Sequence, residues 1–250
     1  MASLLLAIRL LLGTMPFASV TQEVELVYRL DFGDDFKGDR REAASKALEI
    51  VRKRVETEGT VRFDGEKIVV RTPRAHELKP RVVRPGVLRL LAVADGRTQA
   101  AFNENGTVPD GYEVLRIPEA LQGEHAMYGE RVLARKEPIV QAVHVKQVDP
   151  RQELTTKGTV WAVGFELTPD GARRFDAAAE VLCEQRPRGL IAIVLDGEVH
   201  SVPLVLSASF QGKVGMPAKS EADARALAGV LGSGALPVPL ELVEERPVRR

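Results

Sequence analysis

Residues 190–203 read LIAIVLDGEVHSVP. An unbroken apolar run, Leu190 to Leu195, is followed at once by Asp196-Gly197. Asp-Gly between two strand-forming runs is the strongest short-range signal for a hairpin. A short, wholly apolar run that ends in such a turn fits a strand covered on both faces. The chain must therefore bury this segment in a core and return beside it. The same stretch spaces Asp196, Glu198 and His200 two residues apart. On one uninterrupted strand that would place three metal ligands or proton carriers on one face. The turn takes Asp196 out of the strand, which leaves Glu198 and His200 on a short return strand. The hairpin reading therefore outweighs the catalytic one.

The rest of the chain alternates strands and helices. Val24 to Leu30 reads as a strand, and Ala44, Ala47, Leu48, Val51 and Val55 mark one face of a helix that Gly59 should cap. VRFDGEKIVVR is a second hairpin with Asp64-Gly65 at its turn, Ala75–Val83 a short helix and Val87–Val93 a further strand. This β-α-β-β-α-β succession is the ferredoxin-like order. Residues 95–130, rich in Gly, Asn and Asp, read as an irregular exposed loop. A strand-rich unit follows. Trp161, Val163, Phe165 and Leu167 alternate along a strand, and Thr168-Pro169-Asp170 opens a helix with Ala172, Phe175, Ala179 and Leu182 inward. Val202, Leu204 and Leu206 should line one face of the strand returning from Asp196-Gly197. Ser220 and Asp223 form a capping box for a last helix, and LPVPLELVEE reads as an edge strand.

Composition removes several function classes. The 250 residues are 44% hydrophobic, enough for a real core. Lys and Arg number 35 against 35 Asp and Glu, and only 5% of residues are aromatic, so neither a basic field nor a stacking platform for nucleic acid is present. A single cysteine, Cys183, excludes an internal disulfide and reads as a small buried residue in a helix. There is no G-x-S-x-G elbow, Walker loop or G-x-G-x-x-G. The histidines, at 76, 125, 144 and 200, include no i, i+2 to i, i+4 pair, so no local metal motif forms. No cofactor or metal is expected. The first twenty residues carry an apolar stretch, Leu4 to Leu12, interrupted by Arg9, with Ala18-Ser19 after it. That pattern fits a secretory leader or weak N-terminal anchor better than a firm membrane span.

Two stretches, LIAIVLDGEVHSVPLV and SGALPVPLELVEER, resemble the best-marked segments in the first periplasmic domain of the SecD protein-export family. ALEIVRKRVETEG with KIVVRTP, VLARKEPIV and VGFELTPDGARRF agree with the same family in order and spacing. The resemblance implies an α+β fold, a ferredoxin-like base with an inserted strand-rich α+β head subdomain. The implied division is a leader or anchor over 1–20, base over 21–95, head over 96–218, the base's last helix and strand over 219–246, and a tail over 247–250. The marker residues are Asp196, Gly197, Ser201 and Pro203 in the hairpin and Ser233, Gly234, Ala235, Leu236 and Pro237 after the last helix. They are structural, with no catalytic role.

The family's glycine-rich entry after the first strand is RLDFGDD here, and its later membrane helices have no counterpart in the sequence. The expectation is a non-catalytic extracytoplasmic accessory that touches unfolded or translocating polypeptide, or docks on Sec-type membrane proteins. It is not expected to be a proton-driven motor by itself. Two alternatives stay open: an interaction domain that keeps the fold without an export role, and an envelope hydrolase or metal enzyme using Glu198 and His200.

Overall fold

The structure is a computed structural model that describes residues 22–122, 130–155 and 158–248. The leader or anchor expected over 1–20, and His125, lie outside the described residues. In chain order the elements are β1 (Val24–Leu30), α1 (Arg40–Val55), β2 (Thr60–Asp64), β3 (Lys67–Thr72), α2 (Ala75–Val83), β4 (Leu88–Ala92), α3 (Gly96–Asn105), β5 (Tyr112–Arg116) and α4 (Glu119–Gln122). They continue with β6 (Arg131–Arg135), β7 (Val140–Gln141), β8 (Val145–Thr155), β9 (Gly158–Leu167), α5 (Pro169–Glu184), β10 (Ile191–Leu195), β11 (Glu198–Ser201), β12 (Lys213–Pro217), α6 (Glu221–Ser233) and β13 (Leu240–Pro247).

The base is one antiparallel sheet of order β13-β1-β3-β2. One face packs under α1 and α2, where Leu26, Tyr28, Ile68 and Val70 meet Ala47, Val51, Val55, Leu78 and Val82. The opposite face carries ion pairs, among them Arg29–Glu241 at 2.5 Å and Arg246–Glu25 at 2.9 Å. That asymmetry decides which strand closes the base. The expected candidate, residues 87–93, is apolar almost throughout and needs cover on both faces. It leaves the base and pairs with β10 instead. The alternating LELVEERP of β13 suits a sheet with one charged face, and it takes the edge beside β1.

The head contains the sheets β11-β10-β4-β7 and β12-β9-β8 and the β5-β6 pair. Strand β10 is the centre of it. Ile191, Ile193 and Leu195 point into a core shared with β9, α5 and α6, while Ala192 and Val194 point into a second core with β5 and β6. The unbroken apolar run is thus buried on both faces. Asp196 (φ 55°) and Gly197 (φ 83°) carry the two positive values of a type I′ turn.

Several expectations fail for identifiable reasons. The loop expected across 95–130 contains α3, because Asp95 caps its start by accepting from the Arg97 and Thr98 amides, and Phe102 and Gln99 are buried. Gly59 is not the cap of α1. Glu56 takes that place at φ 47°, and Gly59 is needed because a Cβ there would lie 2.4 Å from the Arg71 carbonyl oxygen. After Pro203 the return strand loses its alternation. Val202 and Val205 are buried, whereas Leu204 and Leu206 are 47% and 65% exposed. Helix α6 lies between the two units, against α1 and α2 on one side and β8 and β9 on the other. Its Ala224, Leu227, Ala228 and Leu231 complete the head core. Cys183 is only partly buried.

Candidate functional site at the junction of base and head

The chain crosses between base and head twice, outward after α2 and back after α6. Both crossings meet at one buried cation. Arg54, near the end of α1, is 1% exposed. Its Nε donates to Ser233 Oγ at 2.9 Å and its Nη2 to the Gly234 carbonyl at 3.0 Å, both on the returning chain. Its Nη1 donates to the carbonyls of Val82 (3.0 Å), Arg81 (3.3 Å) and Arg84 on the outgoing chain. A planar fork of five N–H donors suits this task, because each helix end leaves carbonyls without an intrahelical partner. Burial pushes the guanidinium down to about 10, opposed by the nearby Asp196 carboxylate and aided by Arg84. It therefore stays charged near neutrality.

The two marker stretches converge on this point. The Ser233 hydroxyl donates to the Val230 carbonyl at 2.8 Å, which leaves its oxygen lone pairs to accept from Arg54. Gly234 turns the chain at φ 90°, and two residues on, past Ala235, the Leu236 amide donates to the Pro85 carbonyl at 2.8 Å. Pro237 follows in the half-buried stretch that leads into β13. Gly86 sits between the crossings at φ 78°. A Cβ there would lie 2.9 Å from Arg54 Nη2 and 3.0 Å from the Gly234 oxygen.

Asp196 reaches the same junction from the head. Its Oδ1 accepts from the Val87 amide at 2.8 Å, its own amide donates to the Val87 carbonyl at 2.9 Å, and its Oδ2 lies 3.2 Å from Arg84 Nε. Asp196 and Gly197 thus form a turn that also ties the hairpin to the linker. Ser201 ends β11 opposite Ile193, and the Pro203 carbonyl accepts from Ile191 at 3.1 Å.

Glu198 and His200 do not keep the regular spacing of one strand face. The β10–β11 register shifts at His200, so the strict alternation behind a shared face is broken. The Glu198 side chain is 75% exposed and lies 3.8 Å from Arg84 Nη2. Burial, then the Arg84 charge, lowers the His200 pKa, and its Nε2 is buried without a partner among the described residues. Among the described residues no cluster of three potential metal ligands forms. His144 lies in a short 3-10 turn where its Nδ1 accepts from the Gln141 amide, and His76 is exposed.

Beside Arg54 a cleft of about 500 Å³ opens between the base helices and the head. Lys53 and Arg81 line the base side, Val148 and Pro150 of β8 and Ala228, Gly229 and Gly232 of α6 the head side. Glu58 ties Arg81 in place at 2.7 Å. A Cβ at Gly229 or Gly232 would meet only ordinary contacts, at 3.7 and 3.8 Å. Packing therefore does not require either glycine, and their lack of side chains leaves the cleft open. Sequence reading missed Arg54 altogether. The only available signal was a basic residue on the apolar face of α1, between Val51 and Val55.

Comparison with known proteins gives this geometry a context. Residues 118–238 match the family described as SecDF, P1 head subdomain. The chain is 24% identical to the protein translocase subunit SecD of Syntrophobacter fumaroxidans over 84% of its own length and 40% of that protein. It is 30% identical to SecD of Rhodobacter capsulatus over 89% of its length and 38% of that protein. The chain spans about two fifths of the length of the curated relatives it matches. In fold it resembles a solved structure titled "Structure and function of a membrane component SecDF that enhances protein export", with a TM-score of 0.60 and 22% identity over 90% of this chain and 99% of that one.

Proposed function

We propose that the chain, which matches the SecDF P1 head subdomain over residues 118–238 and is similar to SecD proteins along most of its length, is a non-catalytic accessory of protein export that contacts extended or unfolded polypeptide outside the membrane. The observation that supports this most is the cleft at the junction. It lies where two separately packed units meet, and its head wall is stripped of side chains at Gly229 and Gly232, so a peptide backbone can approach closely. Lys53, Arg81 and Arg225 on its walls pair with Glu49, Glu58 and Glu221, and the N–H groups those pairs leave over can donate to main-chain carbonyls whatever the client's sequence. We take the base as 22–87 with 234–248, and the head as 88–233, with Arg54 as the residue that holds the two crossings together.

A photo-crosslinking residue at Lys53 or Arg225 is expected to capture a polypeptide arrested during export. One at Arg29, on the opposite face of the base sheet, is not. Absence of any adduct from the cleft positions, with the protein folded and in the envelope, would favour an interaction domain that keeps the fold without an export role.

A further inference from the structure

A second surface lies on the base, away from the cleft. Strand β2 is the free edge of the sheet, and among the described residues no strand pairs on its outer side. Its turn, Gly65-Glu66, joins Asp64 directly to Lys67. A two-residue turn closes on a pair that exchanges both hydrogen bonds, and such pairs alternate along an antiparallel ladder. Counting back, Thr60, Arg62 and Asp64 bond to β3, and Val61 and Phe63 direct their N–H and C=O groups outward. The Val61 and Phe63 side chains lie on the helix side of the sheet, opposite Val70 and Ile68, and Phe63 is 43% exposed. Between β2 and α1 runs a groove of about 530 Å³ with Leu30, Phe32, Leu48 and Phe63 on its walls. Arg40 and Arg41 stand at the start of α1 on the same groove, Glu66 lines it at the β2–β3 turn, and the Arg40 guanidinium lies 5.2 Å over the Phe32 ring.

An open strand edge beside a helix-walled apolar groove is the geometry of peptide recognition by strand addition. Main-chain bonds hold the added strand, and alternate side chains drop into the groove. We propose that the β2 edge binds an extended segment of another polypeptide, with apolar side chains at alternate positions and an acidic residue beside Arg40 and Arg41. The site is distinct from the cleft, and the proposal rests on the reading that this domain's clients are extended polypeptides. The unbonded edge supplies the demand for a strand, the groove the demand for alternate apolar side chains, and the arginines the charge complementarity.

The test uses a fluorescent, end-capped peptide of alternating Leu and Thr with one terminal Asp, titrated into the full chain and followed by anisotropy. Two further peptides carry backbone N-methyl groups, one on every Leu and one on every Thr. One methylated peptide is expected to bind at least tenfold more weakly and the other within twofold of the parent, because only one set of amides faces β2. Val61→Pro, which removes an outward N–H, should cause a comparable loss with an unchanged circular dichroism spectrum. Equal behaviour of the two methylated peptides overturns the proposal, as does full affinity in Val61→Pro. So does a concentration-dependent dimer that Val61→Pro dissolves, since the occupant would then be a second copy of the chain. Binding that survives Val61→Pro and is lost in Gly229→Trp would sink this site while leaving the cleft reading intact.

Discussion

Arg54→Met removes the guanidinium and keeps much of the buried stem. The Ser233 hydroxyl and the carbonyls of Arg81, Val82, Arg84 and Gly234 then lose a charged donor together. A buried acceptor left unsatisfied costs about 1–3 kcal/mol, and several lose their donor at once. Water from the adjacent cleft can reach some of these oxygens and offset part of the loss, so the expected destabilisation is about 3 kcal/mol. Arg54→Lys keeps the charge but not the fork and should lose roughly half as much. Equilibrium urea unfolding measures both, with the midpoint shifted at constant slope. Ser233→Ala combined with Arg54→Met should show a coupling of about 1 kcal/mol, since the two share a bond. Hydrogen exchange should accelerate first in residues 84–87 and 233–236. An Arg54→Met protein within about 0.5 kcal/mol of the parent, the size of an ordinary surface change, would refute the idea that this residue holds the two crossings together. So would exchange that accelerates uniformly.

Other substitutions probe the same junction. Gly86→Ala adds a Cβ 2.9 Å from Arg54 Nη2 at φ 78° and should cost about 2 kcal/mol, read as a lowered melting temperature. Asp196→Ala removes the acceptor of the Val87 amide and the partner of Arg84 and should cost about 2 kcal/mol, whereas Asp196→Asn, which tolerates the positive φ and keeps an acceptor, should cost about half that. His200 has a folded pKa below its ordinary 6.5. The unfolded chain then binds more protons just below that value, so stability should fall as pH drops through the ordinary 6.5 and level off below the folded pKa. His200→Gln should flatten that part of the stability–pH curve, and a curve unchanged by the substitution would remove His200 from the explanation. The purified protein should carry no stoichiometric metal, and His200→Ala should leave elemental analysis unchanged. A bound metal lost in that variant would revive the enzyme reading.

Local chemistry was legible in the sequence wherever one residue's conformation decided the outcome. The Asp196-Gly197 turn, the Thr168 and Ser220 caps and the doubly buried strand after Leu190 all follow from backbone preference and unbroken apolarity. What the apolar pattern by itself could not say was which sheet each strand joins, and the place of the last strand came only from the family resemblance. Residues 88–92 and 240–247 both satisfy a strand pattern, and only the charged open face of the base discriminates between them. That face exists only after β1 and β3 have paired. Helix α3 was hidden because its Gly, Asn and Asp residues serve as caps and an exposed surface, and only Phe102 and the polar Gln99 are buried. Arg54 was hidden for a related reason. Its partners are mostly backbone carbonyls at helix ends, from parts of the chain 27 to 180 residues away, and a carbonyl has no sequence signature.

The most direct test of the proposed role is equilibrium binding of a permanently unfolded polypeptide, reduced and carboxymethylated, against its folded form. Gly229→Trp serves as the blocking control, because the position lines the cleft and a Cβ there meets only the end of the Arg81 side chain at 3.7 Å. Saturable binding of the unfolded form alone, weakened at least tenfold by Gly229→Trp in a protein of unchanged melting temperature, is the expected result. Equal affinity for folded and unfolded forms, or binding indifferent to Gly229→Trp, would contradict the assignment of the junction cleft as a polypeptide-contacting site.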